Sequence, residues 1–335
     1  MVTRLRKNER GVALLAVLLG VALMTLIVVD FAMTSGLGFK SAANQANELR
    51  SGYLARSAVS IGLALLAADE RDKMLSQTTS TTTSTTTSPT TPQTTSPTTP
   101  VETLNDAWAV PFPSMTVGGG IVSLMIVDED RKLNINTMIG QNGQPNQLQM
   151  AKIQRLFTIL NVNPDLVQGI VDWITPSGAN GTGSGGDYYL GLKPPYQPRN
   201  GPMPTIGDLQ MVQGFSEVIF NRVSPFLTTM PTTAVNANTA PPQVLAALEP
   251  QWTEDLKIVQ QIVEARAIRP FTQPTDITNL LGTAAPTTLA QDIDMRSTFF
   301  TINGTGTYAG ARKLIIATFH RETTGIGTLA AWHED

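Results

Sequence analysis

The feature that most constrains this 335-residue chain is an uninterrupted apolar stretch close to its start. Residues 12–29 are apolar except for Gly20 and Thr25. As an α-helix this stretch is about 27 Å long, close to the hydrocarbon thickness of a bilayer. In the leader before it, the only acid, Glu9, stands among four cations: Arg4, Arg6, Lys7 and Arg10. Because basic flanks stay in the cytoplasm, the pattern predicts one membrane-spanning helix with the rest of the chain outside.

Three interpretations of this segment are open. An ordinary secretory signal has a shorter apolar region and a small-x-small cleavage site, which Phe31-Ala32-Met33 matches poorly. A plain membrane anchor needs no processing. In the third interpretation the chain is cut between Gly11 and Val12, so that the apolar helix stays on the mature protein. We favour this one because the basic leader and its final Gly resemble the class III signal of type IV pilins and pseudopilins. That resemblance implies a prepilin peptidase and N-methylation of Val12.

One position departs from the pilin pattern. Most pilin-like subunits carry a Glu at the fifth residue after the cut, where this chain has Ala16. A carboxylate in the bilayer core is costly unless it is paired, and in filaments that Glu is thought to pair with the N-terminal ammonium of the subunit ahead. A subunit without it needs no neighbour above, as at a filament tip. Among pseudopilins, the K-type minor subunit usually lacks this Glu.

Composition excludes several chemistries. The chain has no Cys, so disulfides, thiolate metal sites and a Cys nucleophile are excluded. Its two His residues, His320 and His333, offer little for a His-based catalytic or metal cluster. The formal net charge is −3. Because the leader is net positive, the net charge of the remaining chain is more negative than this total. That balance argues against nucleic acid as the main partner.

Changes in pattern divide the chain into seven segments. Small and apolar residues continue at helical spacing past Asp30, which predicts one helix of roughly 90 Å. Residues 77–100 are almost only Thr, Ser and Pro and predict an extended, solvated linker. We predict a leader at residues 1–11, a transmembrane helix at 12–33 and its periplasmic continuation at 34–76. A linker follows at 77–100. We then predict a first β part at 101–137, an inserted α-helical domain at 138–285 and a second β part at 286–335.

The pattern after the linker predicts the fold class. Two β runs flank Gly118-Gly119-Gly120 and predict a hairpin. Residues 147–281 then show helical spacing, and β character returns after residue 298. Two segments share the pattern apolar-Asn-apolar-Asn-Thr, at residues 133–137 and 235–239, which predicts two capped strand-to-helix corners. The prediction is an α+β fold in which a long N-terminal helix packs on an antiparallel sheet and a large helical domain is inserted between strands.

Several stretches together resemble the general secretion pathway protein K family of type II secretion systems. Besides the Glu-less signal, they are residues 131–136, 166–174, 192–196, 203–215 and 235–245. The resemblance implies a pseudopilin fold with an inserted domain similar to SAM or helix-hairpin-helix modules. It also implies I- and J-type minor pseudopilins, a prepilin peptidase and an inner-membrane platform as partners. The expected place is the inner membrane, with the bulk of the chain in the periplasm.

The same resemblance raises the question of calcium. Members of the family bind calcium through acidic residues around the loop after the helix that ends in Asp-Trp-Ile. Asp172 and Asp187 match that region, on either side of a Gly-rich loop. Thr175 and Gly186 stand where relatives often carry acids. Calcium takes six to eight oxygens, so both a calcium site and a plain loop that has lost its ion remain open.

The predicted function is that of a minor pseudopilin at the pseudopilus tip, and the sequence also offers alternatives to it. Residues 209–216 resemble a helix-hairpin-helix, which suggests a membrane-tethered DNA receptor. A minor pilin of a related type IV or competence pilus is a separate alternative. Helix-hairpin-helix modules that bind DNA need nearby cations, whereas residues 205–230 hold two acids and one base. We therefore expect no nucleic-acid partner. No catalytic constellation emerges, so we expect no enzyme, and we interpret Asp128, Glu129 and Asp130 as a solvated corner.

Overall fold

The computed structural model describes residues 9–82, 101–176, 186–322 and 325–335. The first helix, α1 (Glu9–Thr82), has 74 residues, about 110 Å at 1.5 Å per residue. It contains an apolar segment long enough to cross a membrane, and the most apolar window of that segment is not buried against the chain. The helix runs past residue 76 into the predicted linker, because adding residues to an existing helix costs little. Residues 1–8 of the predicted leader and 83–100 of the linker lie outside the described residues.

One antiparallel sheet of five strands, in the order β1-β2-β7-β8-β9, receives the second half of α1, and two further sheets are two-stranded. The strands of the described chain are β1 (Met115–Val117), β2 (Gly120–Asp128), β3 (Leu133–Asn134), β4 (Leu227–Thr228), β5 (Val235–Asn236), β6 (Ile293–Asp294), β7 (Phe299–Tyr308), β8 (Ala311–Glu322) and β9 (Gly325–Glu334). The hairpin predicted around the glycine triplet is confirmed as β1 and β2, with Met115 opposite Val122. Gly118 and Gly119 turn the chain at φ +57° and +81°, values that glycine adopts without strain.

Helix α1 lies directly on the middle of the sheet. Ala55, Ala58 and Val59 are buried against strand residues that include Ile302. Two glycines of β7 permit this close approach. A Cβ at Gly306 would lie 2.1 Å from the carbonyl oxygen of Ser51, and one at Gly304 would lie 2.7 Å from that of Ala55. Side chains at these positions would therefore push the helix off the sheet.

The inserted region leaves the sheet at the end of β2 and returns at β7, although these two strands are hydrogen-bonded neighbours. Its α-helices are α2 (Gln147–Ile159), α3 (Leu166–Ile174), α4 (Gly186–Leu190), α5 (Glu217–Val223), α6 (Pro242–Leu248), α7 (Pro250–Glu254), α8 (Leu256–Ile268), α9 (Pro274–Leu281) and α10 (Leu289–Asp292). Short 3-10 helices span Ile135–Met138, Ile206–Met211, Ser224–Phe226 and Gly282–Ala284. The α-helices and 3-10 helices of the inserted region together enclose a hydrophobic core that is separate from the one under α1. The predicted α+β fold with a helical insertion is confirmed.

One helix prediction in this region is wrong. The sequence spacing predicts a continuous helix over residues 253–266, but the chain breaks between α7 and α8. Asp255 has extended backbone angles there, and its side chain accepts a hydrogen bond from the backbone N–H of Lys257. An Asp at this position caps the start of a new helix, because its carboxylate satisfies a free backbone N–H.

The two Asn-containing segments form similar corners, but only the first is capped as predicted: Asn134 caps the 3-10 helix Ile135–Met138, whereas α6 has no side-chain cap. Asn136 accepts from the backbone N–H of Met203 and donates back to its carbonyl. Asn238 exchanges the same two bonds with Phe271. Each corner follows a two-residue strand in a parallel pair, β3 with β4 and β5 with β6. The side-chain amides thus bind each corner to the backbone of a separate segment of the inserted region.

Candidate functional site

The residues of the predicted processing site lie together in the first turns of α1. Gly11, Val12 and Ala16 are all exposed, and a Cβ added at Gly11 would meet no atom within 4 Å. Large apolar side chains continue to be exposed beyond this point, including Leu37 at 69% and Phe39 at 76%. A large exposed apolar surface of this kind indicates that a membrane or other helices cover it. The surface that this chain offers for assembly therefore begins at the proposed cleavage point.

The two predicted calcium ligands lie at the ends of helices that pack together. Asp172 is on α3 and is half-buried, and its carboxylate accepts a hydrogen bond from Gln168 at 2.9 Å. Asp187 is exposed in the first turn of α4. Trp173 and Tyr189 hold the two helices together through an edge-to-face contact at 5.1 Å. The loop between the helices, residues 177–185, lies outside the described residues.

These residues fit a calcium ion only in part. Two carboxylates offer at most four of the six to eight oxygens that calcium takes. The Thr175 hydroxyl donates to the carbonyl oxygen of Val171 instead. The remaining ligands would have to come from the loop or from water, so calcium stays a prediction.

The helix-hairpin-helix segment lies at the surface, with Leu209 and Val212 buried and the residues of its turn exposed. Its turn amide, the backbone N–H of Gln213, donates to the Tyr189 hydroxyl at 3.1 Å. The Tyr196 hydroxyl donates to the carbonyl oxygen of Met211 at 2.9 Å. In a DNA-binding module of this type, turn amides contact phosphate. Here two tyrosines occupy the turn, which favours a helix-packing role over DNA binding.

The interpretation of residues 128–130 as a solvated corner is wrong. Asp128, Glu129 and Asp130 are 0%, 7% and 6% exposed. Glu129 accepts from the hydroxyl of Thr228 in the inserted region and from that of Thr301 in β7. Its pairing with Lys132 at 2.8 Å supplies a cation. Burial is possible because each carboxylate finds several donors, which offsets the loss of water.

A second buried group of charges joins α1 to the segment that follows the Thr/Ser/Pro tract. Lys73 Nζ lies 2.8, 2.5 and 2.6 Å from the carboxylates of Asp69, Glu102 and Asp106. Ligand oxygens of these acids lie within 4.8 Å of one another, a spacing that also suits a metal ion. In this fold the lysine supplies the positive charge among them. This group is not among the residues predicted from the sequence, although Asp69 and Lys73 are spaced i,i+4 on one helix, which is a readable signal.

Arg321 of β8 completes this network from the sheet side. It contacts Glu102 at 2.7 Å and Glu70 at 3.1 Å, and its guanidinium lies 4.4 Å from the centre of the Phe300 ring. Burial raises the pKa of Glu102 to about 7, although the positive charges of Arg321 and Lys73 lower it. The network fixes the C-terminal half of the exposed helix on the sheet.

Comparisons with known proteins agree on one family. Two family models described as "Type II secretion system (T2SS), protein K" match residues 131–232 and 235–296. Type II secretion system protein K of Pseudomonas aeruginosa is 26% identical over 332 residues, which cover 96% of this chain and 91% of that protein. The Klebsiella pneumoniae protein of the same name is 24% identical over 274 residues, covering 78% of this chain and 76% of that protein.

A solved structure shows the same fold. One chain of the crystal structure of the GspK-GspI-GspJ complex from the type 2 secretion system of enterotoxigenic Escherichia coli superposes with a TM-score of 0.62. The alignment covers 91% of this chain and 99% of that chain, at 16% sequence identity. At this level of identity the likeness shows that the two chains share a fold.

Proposed function

Because this chain belongs to the protein K family of type II secretion systems, we propose that it acts at the tip of the secretion pseudopilus. There it initiates or caps assembly for protein export across the outer membrane. Its apolar helix is a single membrane anchor. We place that anchor in the inner membrane, with the rest of the chain in the periplasm. Members of the family are structural components of the secretion system, and the role proposed here is non-catalytic.

The observation that carries the tip position is Ala16 within the exposed apolar helix. An unpaired carboxylate in the bilayer core costs about 3 kcal/mol. A subunit in the body of a filament offsets that cost by pairing with the ammonium of the subunit ahead. A subunit at the tip has nothing ahead of it, so Ala at this position avoids the cost. The missing Glu is therefore what a terminal subunit requires.

The inserted region supports the same position. It enters after Asp128 and returns at Phe299, and it carries its own hydrophobic core. Such a domain, attached at the strand ends of β2 and β7 in the pilin-like sheet, would obstruct helical packing between subunits above and below. At the tip, only the lower side has to pack.

Partners follow from the related complex and from the N-terminal signal. The solved relative is part of a complex with GspI and GspJ, and we propose I- and J-type minor pseudopilins as the partners of this chain. A prepilin peptidase would cut between Gly11 and Val12 and methylate Val12. The inner-membrane secretion platform would then receive the mature helix.

The tip position can be seen directly, because the chain has no cysteine. Ile268 is 88% exposed at the end of α8, so Ile268→Cys can carry a maleimide-gold label without disturbing a contact. In electron micrographs of pseudopili, we expect gold at one end of each filament. Gold spread along the filament length contradicts the proposal, and the unsubstituted chain is the control for unspecific label.

Calcium at Asp172 and Asp187 remains a proposal that a melting curve tests. If calcium binds at a hundred times its dissociation constant, it stabilises the fold by about 2.7 kcal/mol. We expect calcium to raise the Tm of the full chain in detergent, and we expect the double variant Asp172→Asn, Asp187→Asn to lose this rise. Asp165→Asn, an exposed acid just before α3, should keep it. Equal melting curves with calcium and with chelator would leave a plain loop.

A further inference from the structure

Asp128 lies where the inserted region meets the sheet, and one oxygen of its carboxylate binds both. Its Oδ2 accepts a hydrogen bond from the Thr239 hydroxyl, just ahead of α6, at 2.6 Å. The same oxygen accepts from the Ser297 hydroxyl, just ahead of β7, also at 2.6 Å. Its Oδ1 accepts from the backbone N–H of Asp130. A single, fully buried carboxylate thus ties the exit of β2 to the two segments where the chain re-enters helix and sheet.

Asp130 makes a matching set of bonds on the next turn of the chain. Its Oδ2 accepts from the backbone N–H groups of Thr298 and Phe299, at 2.9 and 2.8 Å. Its carbonyl oxygen accepts from the backbone N–H of Asn236 in β5. The Asn236 side chain in turn donates to Ser297. The two acids therefore share one joint, with the inserted region on one side and β7 on the other.

The joint holds more negative charge than its immediate partners neutralise. Among the described residues, no ion pair reaches Asp128 or Asp130. Glu129 adds a third acid but is paired with Lys132. At longer range Arg131 feels the charges of Asp128 and Glu129, and Arg266 of α8 lies close enough to Arg131 to feel its charge.

Both carboxyls are accordingly hard to ionise. Burial, and then the neighbouring Asp130, raise the pKa of Asp128 to about 7. Burial likewise raises the pKa of Asp130 to about 6. Because a hydroxyl group both donates and accepts, the protonated form of Asp128 keeps its hydrogen bonds to Thr239 and Ser297 without the cost of a buried charge.

We propose that Asp128 and Asp130 form a pH-sensitive joint, which holds the inserted region rigidly on the sheet while one of them is protonated and loosens it when both carry charge. The sign follows from linkage. The stability that protonated Asp128 contributes is complete below its unfolded value of 3.8 and is lost as the pH rises through about 7. Mild acid therefore tightens the joint, and mild alkali loosens it.

The test measures the distance between the two bodies. Because the chain has no cysteine, Ile268→Cys on α8 and Arg312→Cys on β8 can carry two spin labels on exposed positions of the inserted region and the sheet. With the full chain in detergent, we expect a narrow distance distribution near pH 5.5 and a broader one near pH 8.5, on either side of the titration. In Asp128→Asn the distribution should stay narrow at both values, and in Asp165→Asn it should broaden like the parent.

A second variant covers the case in which Asp128→Asn does not fold. Ser297→Ala removes one donor from the ionised carboxylate, which disfavours the charged form. The midpoint of the broadening should therefore move to higher pH. Equal widths at both pH values in the parent, broadening that persists in Asp128→Asn, or an unmoved midpoint in Ser297→Ala would each overturn the proposal.

Discussion

N-terminal sequencing of the membrane-extracted protein is expected to begin at Val12, and Gly11→Val is expected to leave the leader attached and to abolish assembly. A prepilin peptidase has to accept the residue before the cut, where the matching signals carry a Gly. The substitution itself does not harm the fold, because a Cβ at Gly11 meets no atom within 4 Å. Valine also costs less than glycine in a helix interior. Loss of the mature protein would therefore reflect lost processing and not lost folding.

Gly20 supplies a matched control on the same helix. A Cβ at Gly20 also meets no atom within 4 Å, and the position lies within the apolar segment past the cut. Gly20→Val should be processed like the parent and should begin at Val12. A parent protein that begins at Met1, or near Ser35 after an ordinary signal peptidase, is incompatible with the pilin-type signal.

The parts of the fold that were predicted from the sequence are those with a local physical cause. A long apolar stretch forms a helix in any membrane-facing context. The glycine triplet predicts its hairpin because Gly118 and Gly119 need positive φ. The two Asn-containing corners are predictable because the side chains of Asn134 and Asn236 accept from backbone N–H groups only two residues further on.

The errors arise where distant segments decide the outcome. Three consecutive acids indicate a solvated turn when taken alone. Thr228, Thr239 and Ser297 stand about a hundred residues or more away from them, and only the fold brings those hydroxyls to the carboxylates. The buried group of charges around Lys73 is a similar case, because Glu102 lies beyond the Thr/Ser/Pro tract. Asp255 is different, because both signals are local. An Asp can cap a new helix, but the apolar spacing over residues 253–266 continues through it and favours a single helix.

The candidate site residues likewise fall into those that are predictable from local sequence and those that depend on the fold. Gly11, Val12 and Ala16 are a linear signal, so the sequence alone places them on one helix end. Asp172 and Asp187 depend on a loop whose residues 177–185 lie outside the described chain. The joint at Asp128 is not linear and has no motif, so it could be found only from the three-dimensional arrangement.

We propose that this chain takes its place at the pseudopilus tip in a complex with two other minor pseudopilins. The relative that shares its fold was crystallised in the GspK-GspI-GspJ complex. The apolar side chains of α1 are exposed over a long surface, and a specific interface of standard size buries about 1,600 Å². A stable complex is therefore expected, and a weak encounter is not.

Light scattering on the full chain mixed with the I- and J-type pseudopilins in detergent measures this most directly. With the detergent contribution subtracted, the account predicts a single species whose protein mass equals one copy of each subunit. The chain alone and each pair serve as controls. Three separate masses, together with salt-sensitive binding of this chain to DNA, would contradict the account and favour a membrane-tethered DNA receptor.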